Sequence, residues 1–123
     1  MVKVREHNYK FISARPFAPN LGAEVYGVDL SKPISEEQFL DIYKAFLDHQ
    51  VLFFKNQKEI PPARHIAFGK RFGELHLHPA APTMKGHPEI FEIHANKNSK
   101  VANGEFWHSD VSCDEEPPLG TML

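Results

Sequence analysis

The chain has 123 residues, of which 41% are hydrophobic and 24% are charged, and its formal net charge is −2 with histidine neutral. This is the composition of one globular domain or of part of one, and the absence of a run of like charge argues against nucleic-acid or anionic-membrane binding. The single cysteine, Cys113, excludes a disulfide framework and a cysteine-rich zinc site. Neither a signal peptide nor an apolar run long enough to cross a bilayer is evident, so we expect a cytoplasmic protein.

Short strands are predicted in the first half of the chain. Prolines and glycines divide residues 11–34 into short apolar stretches, of which Ala23–Leu30 is the best strand. Val51–Phe54 is a continuous apolar run, and its shortness favours a buried strand.

A helix is predicted between these two strands. Ser35 can cap it, and Gln38 stands three residues later, as in a capping box. Apolar residues then recur at the spacing of one helix face, which predicts the buried stripe Phe39, Ile42, Tyr43, Phe46 and Leu47.

The Pro61–Pro62 pair marks the start of a second helix, and Gly73 is placed to end it. Its inward-facing residues are predicted to be Ala63, Ile66, Ala67 and Phe72.

The remainder of the chain is predicted to alternate between loops and strands. Residues 74–88 form a loop rich in histidine, Ile90–Ala95 a strand, residues 96–104 a polar loop, and Phe106–Cys113 another strand. An apolar segment begins at Thr121–Leu123, so we expect the sequence to continue in the intact protein.

His108 and Asp110 form an H-x-D triplet on the last of these predicted strands. Side chains at i and i+2 of a strand point to the same face from Cα atoms about 6–7 Å apart, so imidazole and carboxylate can converge on one ion. One further histidine would complete the two-histidine, one-carboxylate facial triad that binds Fe(II). The alternatives are a hydrogen-bonded His–Asp pair and two solvated residues at a strand end.

Four blocks of the sequence resemble the taurine/2-oxoglutarate-dependent dioxygenase family in content, order and spacing. They are Leu21–Leu30 (LGAEVYGVDL), His49–Gln57 (HQVLFFKNQ), Arg71–Pro79 (RFGELHLHP), and Trp107–Ser112 (WHSDVS) with the following Glu116–Gly120 (EPPLG). Together they cover most of residues 17–123, which is far more specific than the H-x-D triplet alone.

The resemblance implies an α+β fold: a double-stranded β-helix (jelly-roll, cupin-like) with flanking N-terminal helices. Residues 1–123 would be a single partial dioxygenase domain holding only its N-terminal portion. The family's distal histidine ligand, its 2-oxoglutarate-binding arginine and threonine, and the later strands would lie C-terminal to Leu123, since all eight histidines lie at or before His108. We therefore expect little or no turnover from this chain alone.

The same resemblance implies roles for individual residues. His108 and Asp110 would be the first two iron ligands. His78 would line the substrate pocket and contact an anionic group there, although a loop histidine bonded to backbone is equally compatible with the sequence. Val111 and Asn103 would also contact substrate, Val111 being equally compatible with a buried strand residue.

Ala81 stands where taurine-specific members carry a tyrosine, so the substrate can be larger than taurine or different from it.

The implied activity is hydroxylation of a small anionic substrate of the taurine or sulfonate type. Fe(II) would be the bound metal, 2-oxoglutarate and O₂ would be consumed, and succinate and CO₂ would be the coproducts. We expect a homo-oligomer with no nucleic-acid or membrane partner. One alternative is a non-catalytic, truncated dioxygenase fragment that binds only metal or a partner. Another is a zinc hydrolase using His76, His78 and either His108 or Asp110, against which the absence of an H-E-x-x-H motif argues.

Overall fold

The computed structural model describes residues 8–77, 82–100, 104 and 106–123. The chain divides into two compact units, Met1–Phe68 and Gly69–Leu123. Within the described residues no helix is long and apolar enough to cross a membrane.

The first unit is built on a three-stranded sheet in the order β1-β2-β3. β1 is Ser13–Pro16, β2 is Ala23–Tyr26 and β3 is Leu52–Phe54; β1 pairs antiparallel with β2, and β3 pairs parallel with it. The parallel pairing requires a crossover, which is provided by helix α1, Glu36–His49. The buried residues Ala23 and Val25 place β2 at the centre of this unit.

The predicted strand Ala23–Leu30 is too long, because β2 ends at Tyr26 and Gly27 follows with φ of +80°. Val28 and Leu30 are nevertheless buried. The side chain of Gln57 pairs with their backbone: its Oε1 accepts the Leu30 N–H at 2.9 Å, and its Nε2 donates to the Val28 carbonyl at 2.8 Å. A side-chain amide thus replaces the strand pairing that ends at Tyr26.

Helix α1 begins as predicted, with the Ser35 hydroxyl accepting the Gln38 N–H at 3.2 Å. Its buried residues are Phe39, Ile42, Ala45 and His49. The prediction was wrong for Leu47, which is 56% exposed. The buried stripe is therefore rotated away from Leu47 and toward Ala45 and His49.

Two aspartates of α1 hold the segment that precedes β1. Asp41 accepts the backbone N–H groups of Lys10 and Phe11, each at 2.7 Å from its Oδ2. Asp48 Oδ2 accepts a hydrogen bond from the Tyr9 hydroxyl at 3.0 Å. Burial, together with this hydrogen bond, raises the pKa of Tyr9. The tyrosine therefore stays neutral at ordinary pH.

Strand β3 lies at the predicted position, but it is not fully buried, since Phe53 is 46% exposed. Helix α2, Pro62–Gly69, begins at the predicted proline and buries Phe68, whose ring meets Phe39 and Phe54 edge-on. The predictions were wrong for its end and its inner face: it stops at Gly69 rather than Gly73, and Ala63 and Ala67 are exposed.

The second unit contains a hairpin of β4, Thr83–Met84, and β5, His87–Phe91, around Gly86 with φ of +81°. The strand predicted at Ile90–Ala95 therefore begins earlier and ends at Phe91. The strand predicted at Phe106–Cys113 is absent, because the described residues there form bends and turns. The jelly roll itself is not formed by the few strands that the structure describes.

Candidate metal centre

The side chains of His108 and Asp110 converge, as the H-x-D triplet predicted. The imidazole Nε2 lies 3.1 Å from Asp110 Oδ1. The convergence comes from a turn and not from strand alternation. Val111 has a φ of +48°, and its carbonyl accepts the Asp114 N–H at 3.2 Å, so the backbone reverses immediately after the carboxylate.

One hydrogen bond fixes the tautomer of His108. Its Nδ1 lies 2.6 Å from the Phe106 carbonyl oxygen, which can only accept, so Nδ1 carries a proton. Without a metal Nε2 faces Asp110 Oδ1 as a hydrogen-bond donor, and it would present a lone pair to an ion once that proton is released. The Phe106 carbonyl raises the pKa of His108, and the neighbouring Asp110 charge raises it as well.

The two carboxylate oxygens of Asp110 have different partners. Oδ1 faces His108, whereas Oδ2 accepts a hydrogen bond from the Thr121 hydroxyl at 2.9 Å. A carboxylate has no proton to give at neutral pH, so the threonine is the donor. One oxygen is thus held by the protein and the other is directed at the imidazole.

This pair fits two adjacent positions of an octahedral metal site. Ligand atoms about 2.1 Å from an ion and at right angles to each other are about 3.0 Å apart. The observed Nε2–Oδ1 distance is 3.1 Å, which is also the distance of the hydrogen-bonded His–Asp pair that the sequence left as an alternative. A neutral imidazole with its other nitrogen bonded to a carbonyl, together with a carboxylate, is also the donor set that a ferrous facial triad uses for two of its three positions.

The His108 and Asp110 side chains are accessible to solvent, being 51% and 52% exposed. Gly104 lies close to the ring, since a Cβ placed on it would be 3.3 Å from His108 Cε1, and its φ is +83°. Glycine is suited to this position both by its backbone conformation and by its close approach to the imidazole.

The residues predicted to contact substrate are only partly covered by the structure. Val111 directly follows the candidate ligand Asp110 and is half-buried. A β-branched residue with positive φ is a backbone outlier of the kind found at functional sites. His78, Ala81 and Asn103 lie outside the described residues.

His76 contacts a different carboxylate from the one beside His108. Its Nε2 is 3.1 Å from Asp114 Oδ2. In the described part of the chain no group of three histidine, cysteine, aspartate or glutamate side chains is placed to hold a metal. His78, the second histidine of the zinc hydrolase alternative, lies outside the described residues.

Sequence reasoning did not predict the contacts of Thr121 and Gly104 with the pair. Thr121 is eleven residues from Asp110 and opens an apolar segment, where a threonine normally indicates only a strand. Gly104 stands in a polar stretch in which a glycine indicates only a turn. Neither residue belongs to a motif that would have linked it to His108 or Asp110.

Comparison with known proteins places the chain in a family. A family model described as taurine catabolism dioxygenase TauD, TfdA family matches residues 13–123. An alkylsulfatase from Acinetobacter baylyi is 33% identical over 112 residues, covering 91% of this chain and 34% of that protein. An alpha-ketoglutarate-dependent sulfate ester dioxygenase from Pseudomonas putida is 30% identical over 112 residues, covering 91% of this chain and 36% of the relative.

The fold shows the same relationship. The crystal structure of a taurine dioxygenase from Burkholderia xenovorans superposes with a TM-score of 0.71 at 31% sequence identity, over 89% of this chain and 38% of that one. The chain thus spans about a third of the length of the relatives that it matches. Since the family model covers nearly all of the sequence, the chain belongs to the taurine catabolism dioxygenase TauD, TfdA family.

Proposed function

We propose that the chain is the N-terminal portion of a single dioxygenase domain that uses Fe(II), 2-oxoglutarate and O₂ to hydroxylate a small anionic substrate, with succinate and CO₂ as coproducts. The observation that carries this proposal is the 3.1 Å approach of His108 Nε2 to Asp110 Oδ1. Family membership supports it, because the family model and the relative from Pseudomonas putida are both named as dioxygenases.

In this proposal His108 and Asp110 hold the iron through Nε2 and Oδ1. Iron with 2-oxoglutarate and O₂ supplies the oxidising power that replaces a substrate C–H bond with C–OH. The Phe106 carbonyl keeps the proton of His108 on Nδ1, so that Nε2 can donate its lone pair to the ion. The contribution of the protein is therefore the orientation of two donor atoms toward one point.

We propose that the substrate is an organosulfur anion, either an alkyl sulfate ester or a sulfonate. The relative from Acinetobacter baylyi is named an alkylsulfatase, and the relative from Pseudomonas putida is named a sulfate ester dioxygenase. His78 would donate a hydrogen bond to the anionic group, and Val111 and Asn103 would line the substrate pocket. Ala81, in place of a tyrosine, would leave room for an alkyl chain longer than that of taurine.

The test uses protein expressed from the whole reading frame and purified without oxygen. Fe(II) and 2-oxoglutarate should together give a charge-transfer absorption band, and succinate release should follow addition of an alkyl sulfate or a sulfonate. The His108→Ala and Asp110→Ala variants should lose both signals, whereas His76→Ala should keep the absorption band. Persistence of the band in both ligand variants would refute the assigned ligands.

One alternative has a structural observation in its favour. The chain supplies two candidate ligands, each about half exposed, and spans about a third of its relatives. Two ligands hold iron more weakly than three, so residues 1–123 alone should bind metal weakly and produce little or no succinate. Sustained 2-oxoglutarate-dependent succinate production by residues 1–123 would contradict that expectation, and metal binding without turnover by the whole protein would favour a non-catalytic role.

A further inference from the structure

We infer that Thr121 is a positioning residue for the metal: it holds one oxygen of Asp110 and thereby keeps the carboxylate bound to the ion through the other oxygen alone. The inference rests on the proposed function, because it takes His108 and Asp110 as ligands. Its basis is the hydrogen bond from Thr121 Oγ1 to Asp110 Oδ2 at 2.9 Å.

The need for such a contact follows from the exposure of the carboxylate. The Asp110 side chain is 52% exposed, and an aspartate carboxylate rotates readily about its last bond. Rotation would exchange Oδ1 for Oδ2, or bring both oxygens to the ion. A hydrogen bond to the charged carboxylate is stronger than one between neutral groups, so the hydroxyl can select one orientation.

The consequence concerns the number of open positions on the metal. A facial triad occupies three of six positions and leaves three for the cosubstrate and O₂. A carboxylate that binds through both oxygens would take one of these three. With Oδ2 engaged by Thr121, Asp110 would hold the ion through Oδ1, and the three positions would stay open.

The arrangement mirrors the one around the imidazole. The Phe106 carbonyl holds His108 Nδ1 and leaves Nε2 for the ion, just as Thr121 holds Oδ2 and leaves Oδ1. Thr121 reaches Asp110 across a loop that contains Pro117 and Pro118, and prolines reduce the conformational freedom that closing this loop must remove. Each candidate ligand therefore has one atom fixed by the protein and one atom facing its neighbour.

The experiment measures Co(II) affinity of the metal-free whole protein by visible absorption, without relying on turnover. Thr121→Val keeps the size of the side chain and removes the hydroxyl, so it should weaken binding by about 10- to 100-fold, the usual effect of losing a hydrogen-bonded partner of a ligand. Thr121→Ser keeps the hydroxyl and should bind within about threefold of wild type, well short of that loss. Thr83→Val makes the same chemical change in β4 and should leave the affinity unchanged.

A second readout separates positioning from a purely structural role. The Fe(II)–2-oxoglutarate absorption band should shift or weaken in Thr121→Val and return in Thr121→Ser, while the thermal unfolding of the metal-free proteins stays similar. Wild-type affinity in Thr121→Val, or equal losses in the valine and serine variants, would overturn the inference. Failure of the wild-type protein to bind Co(II) or Fe(II) would instead overturn the proposed function, so the two failures are distinguishable.

Discussion

The Gln57 side chain pairs with the backbone of Leu30 as a neighbouring strand would, accepting its N–H at 2.9 Å while donating from Nε2 to the carbonyls of Val28 and Lys55. Because Leu30 and Val28 are buried, water cannot readily replace this pairing. One side chain thus satisfies two backbone groups beyond the end of β2 and one directly after β3.

Replacing Gln57 by leucine should therefore destabilise the chain. The buried Leu30 N–H and Val28 carbonyl would lose their partners, at a cost of about 1–3 kcal/mol for a group left unsatisfied. Urea unfolding of wild type and Gln57→Leu measures the difference in the free energy of unfolding. Gln57→Glu keeps an oxygen for the Leu30 N–H but sets a second acceptor against the Val28 and Lys55 carbonyls, so it should also be less stable than wild type. Wild-type stability in Gln57→Leu would show that these hydrogen bonds contribute nothing.

Asp41 gives a second prediction about stability. Its Oδ2 accepts the N–H groups of both Lys10 and Phe11, each at 2.7 Å. Asp41→Ala removes both hydrogen bonds, so the unfolding free energy should fall by about 1–3 kcal/mol, in the range of bonds to a charged acceptor. Asp41→Asn retains an acceptor oxygen and should fall by less. If hydrogen exchange at the amides of Lys10 and Phe11 were no faster in Asp41→Ala, the contact would not hold this segment.

Local signals in the sequence were sufficient for the elements that depend on neighbouring residues. Ser35 caps α1 and Pro62 begins α2 as predicted, because a cap or a first-turn proline acts within one turn of its own helix. The errors at Leu47 and Gly73 arise where packing decides: the helix face that is buried depends on what lies against it, and α2 stops at Gly69 before the second glycine is reached.

The candidate site was predictable to a similar degree. The triplet predicted that His108 and Asp110 converge, and they do, although through a turn at Val111 and not through a strand. The predicted strand Phe106–Cys113 does not form, because Val111 has a φ of +48°, which a strand pattern in the sequence does not report. The partner of Asp110, Thr121, could not be predicted, since the contact depends on how the intervening loop folds back.

Glu24 should make the stability of the chain depend on pH. The Tyr26 hydroxyl donates to its Oε2 at 2.6 Å and, with Lys55, lowers the pKa of Glu24 from its ordinary value of 4.5. A lowered folded-state pKa gives stabilisation that is present above the unfolded-state value and is lost as the pH falls through the folded-state value. Tyr26→Phe should therefore be less stable than wild type near neutral pH, and the difference should shrink on acidification.

The measurement is the urea midpoint of both proteins across the acid range. Phenylalanine keeps the aromatic ring beneath Arg15, whose Cζ lies 5.0 Å from the ring centroid, so only the hydroxyl is lost. Glu24→Gln removes the titrating group, and adding Tyr26→Phe to it should leave the pH profile unchanged. A difference between wild type and Tyr26→Phe that stays constant from neutral to acid pH would show that the hydroxyl does not act through the ionised carboxylate.

Substitution of Gly104 tests whether its close approach to the His108 ring contributes to metal binding. A Cβ at Gly104 would lie 3.3 Å from Cε1 and 3.9 Å from Nε2 of the imidazole, so Gly104→Ala should displace the ring that carries the candidate donor atom. The variant should also lose stability, by about 1–2 kcal/mol, because alanine is strained at a φ of +83°. Gly86→Ala is the matched control, since Gly86 has φ of +81° with nothing within 4 Å of its added Cβ.

Both variants should therefore lose similar stability, but only Gly104→Ala should weaken Co(II) binding by the whole protein. We expect a loss of roughly 3- to 10-fold, at or below the lower end of the range for losing a hydrogen-bonded partner, because a displaced ring can still rotate toward the ion. The chemical shift of His108 Hε1 should change in Gly104→Ala and not in Gly86→Ala. Equal Co(II) affinities in the two variants would mean that the position of the imidazole does not depend on the glycine beneath it.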